Sequence, residues 1–325
     1  MNNVKLLGEE DFLSAMENEV KDWRQKYVTR GQLKGRGNID FNYYVCDPEG
    51  APKASITLVH GLGEFFGKFH EYIWYLTRAG YKVFFLEQRG HGYSGGKPKA
   101  VDTIYIDSYR TYVEDLHRFV DKVVVPESRG LDMFIIAHSM GGAISTLFLE
   151  TYDGYYKGAI LSSPMFKLLA GNVNPVLRIL LKAYAIIFRK MYDLGPNQKH
   201  FDPNPDFDKS SALSRPRFDY QLMLRIRDQH YQTRGATYGW ALASMRVHDD
   251  IMRNAGKLRL PITIMTAGRD HLIDEAGYEE FSGLAPAARI HPYPTSKHEI
   301  FNADEATRKA YFRDVFATLE GYLTH

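Results

Sequence analysis

The 325-residue chain is 44% hydrophobic and 25% charged, an ordinary globular composition, and its length suits two domains or one large α/β domain with an insertion. Its 41 basic and 39 acidic residues nearly cancel, so no nucleic-acid partner is expected. A single cysteine, Cys46, excludes an intramolecular disulfide and fits a reducing compartment.

The first residues carry acids early and lack a long apolar stretch, so they do not read as a secretory signal. No run of about 18 uninterrupted apolar residues occurs, so no transmembrane span is expected. These features point to a soluble cytoplasmic protein, with peripheral membrane contact left open.

Residues 8 to 26 place Phe12, Leu13, Met16, Val20 and Trp23 at helical spacing. The polar face is acidic, which favours a helix packed on the body over one lying on a membrane. From Ile39 to Val45 the pattern alternates at period two, the mark of an exposed strand with Cys46 at its end. Asp47-Pro48-Glu49-Gly50 is a turn. Ala54 to His60 reads as a buried strand, 68 to 79 as a helix ended by Gly80, and Tyr81 to Leu86 as the next strand. A helix over 107–124, a strand from Leu131 to Ala137, a helix from Gly141 to Tyr152 and a strand from Lys157 to Ser163 follow.

Short apolar strands alternating with helices predict a mostly parallel sheet covered on both faces. The rhythm stops after Pro164 and resumes at Leu260 to Gly268, with a last strand from Ala288 to Tyr293 and a last helix from Glu305. The chain is therefore read as one α/β core, residues 1–165 and 256–325, interrupted by a helical insertion, 166–255. That insertion contains the apolar run Ile179 to Phe188 and a second helical region from Tyr220 to Met252.

The most informative motif is Ile135-Ile136-Ala137-His138-Ser139-Met140-Gly141-Gly142-Ala143. A buried strand runs into a serine and a small-residue helix leaves it, the context of a nucleophile elbow. Ser139 on so sharp a turn needs small neighbours two residues away on each side, and Ala137 and Gly141 supply them. The helix after it points its amide dipoles at a forming oxyanion. Ser94, Ser162 and Ser163 lack such neighbours and read as structural.

A serine hydroxyl needs a base, and the base an orienting carboxylate. In such a strand-turn-helix frame the order is serine, acid, histidine. Asp270 follows the late strand and is the preferred acid, with Asp274 as the alternative. His298 lies in a loop just before the terminal helix and is the predicted base; His291 lies on the strand before it. His138, beside Ser139, reads as structural. The oxyanion hole needs two backbone N–H donors. Met140 supplies one. His60-Gly61-Leu62-Gly63-Glu64, after an early strand, supplies the other at Leu62, with Gly61 allowing close approach. In Glu87-Gln88-Arg89-Gly90-His91-Gly92-Tyr93-Ser94-Gly95, an ion pair between Glu87 and Arg89 would brace that loop.

Together these motifs, with Ser163-Pro164-Met165-Phe166, resemble the α/β-hydrolase superfamily, and within it the bacterial lysophospholipase L2 and monoacylglycerol lipase group. The resemblance runs from about residue 39 to the end. It implies a Ser139, Asp270, His298 triad, an oxyanion hole at Leu62 and Met140, and a helical cap over the site. Two departures stand out: Ala137 where the glyceride lipases usually have glycine, and Glu87 where the family commonly has Asp. The implied reaction is hydrolysis of a lipid-like ester, lysophospholipid or monoacylglycerol, through an acyl-serine. Other esters, thioesters or peptide-like bonds, and a non-catalytic binding homologue, are the alternatives on the same fold. No cofactor or metal is implied, and no HExxH, CxxC or GxxxxGK[ST] pattern occurs. The run Ile179 to Phe188 is read as an acyl-channel wall, a membrane-touching face or a buried cap helix. Arg178, Lys182, Arg189 and Lys190 flank it as candidate donors to a phosphate head group.

Overall fold

The computed structural model describes residues 4–98, 100–169 and 174–324. In chain order the strands are β1 (Val28–Lys34), β2 (Asp40–Cys46), β3 (Ala54–Val59), β4 (Tyr81–Leu86), β5 (Thr103–Ile104), β6 (Met133–His138), β7 (Gly158–Ser162), β8 (Gly235–Ala236), β9 (Ile262–Ala267) and β10 (Ala288–Tyr293). Eight form one sheet in the order β1-β2-β4-β3-β6-β7-β9-β10, and β5 pairs separately with β8. The pairs β1·β2 and β2·β4 are antiparallel, and every other neighbouring pair in the large sheet is parallel. This is the mostly parallel, helix-flanked sheet that the alternating pattern predicts.

Period-two alternation sorts each strand's side chains between two cores. Met133, Ile135 and Ala137 of β6 face one, together with the helices Tyr109–Phe119 and Met140–Thr151. Phe134 and Ile136 face the other, together with the helices His70–Arg78 and Glu305–Leu323. Each large apolar side chain buried this fully contributes about 1.5–3 kcal/mol. Both faces of the central strands are apolar for this reason, and their carboxyl ends come out along one edge.

The N-terminal stretch does pack on the body, through Phe12, Met16, Val20 and Trp23, but as two helices, Phe12–Glu17 and Glu19–Tyr27. Asn18, outside helical backbone angles (φ −115°, ψ −85°), separates them, and Leu13 is exposed. β1 was invisible in the sequence. Val28-Thr29-Arg30-Gly31-Gln32-Leu33-Lys34 is a polar edge strand with no apolar face, and it exists by pairing with β2 from Val28↔Cys46 to Lys34↔Asp40. Its cover changes β2, which is not the exposed strand expected: Phe41, Asn42, Tyr44, Val45 and Cys46 are buried.

Between β7 and β9 lie the helices Pro175–Ile187, Arg215–Arg227, Tyr238–Ser244 and Val247–Met252. The helical region expected from Tyr220 to Met252 is thus three helices. Asp228 accepts from His230 N at 2.9 Å and turns the chain, which then pairs as β8 before Thr237 starts the next helix. Arg217, fully buried, ties the second of these helices down: it pairs with Glu71 at 2.6 Å and with Glu9 of the N-terminal segment at 2.8 Å. Of the apolar run Ile179 to Phe188 only Ala185 is buried, so the buried-helix reading does not hold.

Candidate active site

β6 ends at His138, and Ser139 takes φ +53° and ψ −120° before the helix Met140–Thr151 begins. A non-glycine residue with positive φ stores strain of about 1–3 kcal/mol. The surroundings hold it: Ser139 N donates to Ser162 O at 3.0 Å, and Met165 N donates to Ser139 O at 2.9 Å. The need for small neighbours has a concrete basis. A Cβ on Gly141 would lie 2.2 Å from Val59 O, and one on Gly142 would lie 2.5 Å from Cβ of Pro164. The helix can therefore start tight against the end of β3. Gly61, in the loop after β3, comes so close to the serine that an added Cβ would sit 3.0 Å from Cβ of Ser139.

His298 and Asp270 are brought together from loops after β10 and β9. Nδ1 of His298 donates to Oδ2 of Asp270 at 2.6 Å, with both side chains almost wholly buried. The other carboxylate oxygen accepts from Leu272 N at 2.9 Å and Ile273 N at 3.1 Å. Burial opposes ionisation of Asp270, but the His298 contact and these two amides outweigh it and hold the carboxyl below its usual range. With Nδ1 committed to Asp270, Nε2 of the neutral ring is left as the acceptor. It is buried and has no hydrogen-bond partner among the described residues, Ser139 included. The two loops are nonetheless adjacent: Ser163 Oγ donates to His298 O at 2.8 Å, and the rings of His138 and His298 lie 4.9 Å apart. Catalytic hydrogen bonds of this kind commonly tighten only with substrate present.

The alternatives fall elsewhere. Asp274 is bound to Lys167 at 3.0 Å, and His291 faces Asp314 at 3.2 Å on the rim of the sheet. Ser94 accepts from Asn42 N at 2.9 Å and braces a loop.

The amides of Leu62 and Met140 donate to no acceptor among the described residues. Neutral histidines tie the Leu62 loop to the loop after β4. His91 Nε2 accepts from Gly63 N at 3.0 Å, while Nδ1 meets Arg89 O at 2.9 Å. His60 Nε2 accepts from Gln88 N at 3.0 Å. Burial drives His91 well below its usual value and lowers His60 to about 4. The ion pair expected between Glu87 and Arg89 is not formed. Arg89 pairs with Asp115 at 2.9 Å, and Glu87 accepts from Asn42 Nδ2 at 3.0 Å and Tyr93 N at 2.8 Å. Burial, with only neutral N–H donors in contact, raises Glu87 to about 7. The brace on the Leu62 loop is His91 instead.

One cluster escaped the sequence reading. Lys68 Nζ lies 2.8 Å from Glu64 and 2.7 Å from Glu299, all with side chains at most 15% exposed. Glu64 also accepts from Gly61 N, and Asn302 Nδ2 donates to Glu299 at 2.7 Å. Burial opposes the charge on Glu64, but Lys68 prevails and lowers it to about 2. The only sequence signals were Glu64 and Lys68 at i, i+4 and a Glu directly after His298.

Chemically, this edge of the sheet presents a strained serine, a carboxylate-oriented imidazole with a free acceptor, and two free amides. That set can transfer an acyl group to a hydroxyl and onward to water.

The model of the serine aminopeptidase, S33 family matches residues 50–305. A probable lysophospholipase L2 of Haemophilus influenzae is 25% identical over 290 residues, 87% of this chain and 89% of the relative. A monoacylglycerol lipase of Mycolicibacterium smegmatis is 28% identical over 292 residues, 89% of this chain and 96% of the relative. Among solved structures, a soluble variant of monoglyceride lipase from Saccharomyces cerevisiae superposes with a TM-score of 0.73 at 20% identity, covering 92% of this chain and 97% of that one. A carboxyl esterase from Bacillus coagulans gives 0.75 at 19% identity, covering 91% and 99%. At these identities the two structures speak to the fold.

Proposed function

Because this chain belongs to the serine aminopeptidase, S33 family of α/β-hydrolases, we propose that it hydrolyses the carboxylic ester of a lysophospholipid or monoacylglycerol, with Ser139 as nucleophile, His298 as base and Asp270 as its orienting acid. The observation that carries this reading is the buried His298 ring, bound at Nδ1 to Asp270 at 2.6 Å and free at Nε2 beside the serine turn.

Ser139 Oγ attacks the ester carbonyl as His298 Nε2 takes its proton. The carbonyl oxygen becomes an oxyanion held by the amides of Leu62 and Met140. Collapse breaks the ester C–O bond, and His298 returns the proton to the departing alcohol. Water, deprotonated by His298, then attacks the acyl-serine and releases the fatty acid. Asp270 holds the Nδ1–H throughout and stabilises the imidazolium that forms when Nε2 takes the proton.

Residues 166–255 serve as the cap over this edge, and their helix Pro175–Ile187 meets the lipid surface. Val176, Ile179 and Ile187 are 63%, 67% and 71% exposed, and no acidic residue occurs between 174 and 192. An apolar face flanked by Arg178, Lys182 and Arg189 suits an anionic bilayer surface. No described helix is long and apolar enough to cross a membrane.

The test is release of free fatty acid from lysophosphatidylcholine, monoacylglycerol and short nitrophenyl esters by the purified protein, with a peptide amide as control. A fluorophosphonate probe should label the wild type and not Ser139→Ala. Labelling that survives the substitution, or hydrolysis of the peptide alone, overturns the reading.

A further inference from the structure

The helix Arg215–Arg227 sends Arg225 onto the loop after β3. Its Nη2 donates to Gly63 O and its Nη1 to Thr233 O at 3.3 Å, with the guanidinium 5.1 Å from the centre of the Phe65 ring. Gly63 directly follows Leu62. No carboxylate pairs with Arg225 among the described residues.

A second guanidinium joins it. A Cβ on Gly63 would lie 3.0 Å from Thr233 O and 3.6 Å from Cα of Arg234, so the Arg234 turn is packed on the same loop. Arg234 is exposed, and its side chain makes no hydrogen bond or ion pair among the described residues. Burial first, and the charge of Arg234 second, pull Arg225 down to about 10, with Glu299 and Glu64 opposing. A guanidinium on the Gly63 carbonyl and a second on the turn packed against the same loop, neither with a carboxylate partner among the described residues, offer donors to an anion.

We propose that Arg225 and Arg234 bind the phosphodiester of a glycerophospholipid head group, so that a lysophospholipid is preferred over a neutral glyceride. This rests on the ester-hydrolase reading and names the alcohol that the site holds. The charges match. Lys68 is already shared between Glu64 and Glu299, and with Arg225 and Arg234 included the cluster carries one positive charge in excess, against the single negative charge of a phosphodiester. The geometry matches as well. In a lysophospholipid only the three-carbon glycerol separates ester from phosphate, and Arg225 grips the carbonyl of Gly63, the residue directly after the proposed oxyanion donor Leu62. The basic residues flanking the helix Pro175–Ile187 are less available: Arg178 donates to Met245 O at 3.2 Å and Lys190 pairs with Asp193 at 2.9 Å.

The experiment compares kcat/KM for 1-oleoyl lysophosphatidylcholine and 1-oleoylglycerol in the same detergent, using the full chain, Arg225→Lys, Arg234→Gln and Arg234→Glu. The wild type should favour the phospholipid. The ratio of the two values should fall about tenfold in Arg234→Gln, further in Arg234→Glu, and mainly through KM, while Arg225→Lys retains part of it. Glycerophosphocholine should inhibit competitively, and less in the Arg234 variants. A ratio unchanged in both Arg234 variants, or a wild type favouring oleoylglycerol, overturns the proposal. Equal inhibition by inorganic phosphate overturns it too, marking a free-phosphate site. If neither ester is cleaved and the fluorophosphonate probe leaves Ser139 unlabelled, the hydrolase reading has failed and takes the proposal with it; oleoylglycerol cleavage with an unchanged ratio sinks the head-group proposal alone.

Discussion

Lys68 Nζ stands 2.7 Å from Glu299, the residue directly after His298, and 2.8 Å from Glu64, whose carboxylate holds the amide of Gly61. One buried ammonium thus sets the loop bearing the proposed base against the loop bearing a proposed oxyanion donor. Removing it leaves two buried carboxylates facing each other. Lys68→Met should destabilise the protein by about 3–5 kcal/mol in urea denaturation. Lys68→Arg, which keeps the charge, should recover most of that loss.

Asp270→Asn should leave the fold standing, because the amide still accepts from Leu272 N and Ile273 N. It should lower kcat by about 10³–10⁴-fold by presenting the wrong tautomer of His298. Steady-state hydrolysis of a nitrophenyl ester measures this, and a loss of tenfold or less would remove Asp270 from the proposed role.

Acid should weaken the fold in two overlapping windows. His60 and His138, both lowered by burial to about 4, resist protonation when folded but take a proton near 6.5 when unfolded, so stability falls as pH drops from 6.5 toward 4. Glu64, lowered to about 2, stabilises the fold above its unfolded value of 4.5, and that contribution is lost as pH falls from 4.5 through 2. Tm followed from pH 7 to pH 2 should decline across both ranges.

Glu87 works in the opposite sense. Burial raises it to about 7, so its contribution is present below 4.5 and is lost as pH rises through 7. Glu87→Gln mimics the neutral form. Relative to wild type it should gain stability between pH 4.5 and pH 8, by an amount on the order of 3 kcal/mol. Parallel denaturation curves at the two pH values decide this, and an equal difference at both would refute it.

Gly141→Ala drives a methyl group into Val59 O and His60 O, 2.2 and 2.6 Å away. The helix after Ser139 must shift, which should cost about 1–3 kcal/mol. Esterase activity should fall further than that loss of stability accounts for, since Met140 N moves with the helix.

Periodicity and motif spacing alone determined much of this protein. The apolar strands β3, β4, β6, β7 and β9, the small residues around Ser139, and the chain order of the proposed Ser139, Asp270 and His298 are local facts: each such strand must alternate apolar groups to two cores, and each tight turn must be made of small residues. Partners far apart in the chain were decided only by the tertiary structure. Polar β1 has no apolar face to announce it and exists because β2 needs a neighbour, whose cover then buries β2. Arg89 went to Asp115 instead of Glu87, Lys68 to Glu299, and Arg225 to Gly63, because the worth of a buried charge depends on which groups folding brings within about 3 Å, and no spacing along the chain encodes that distance.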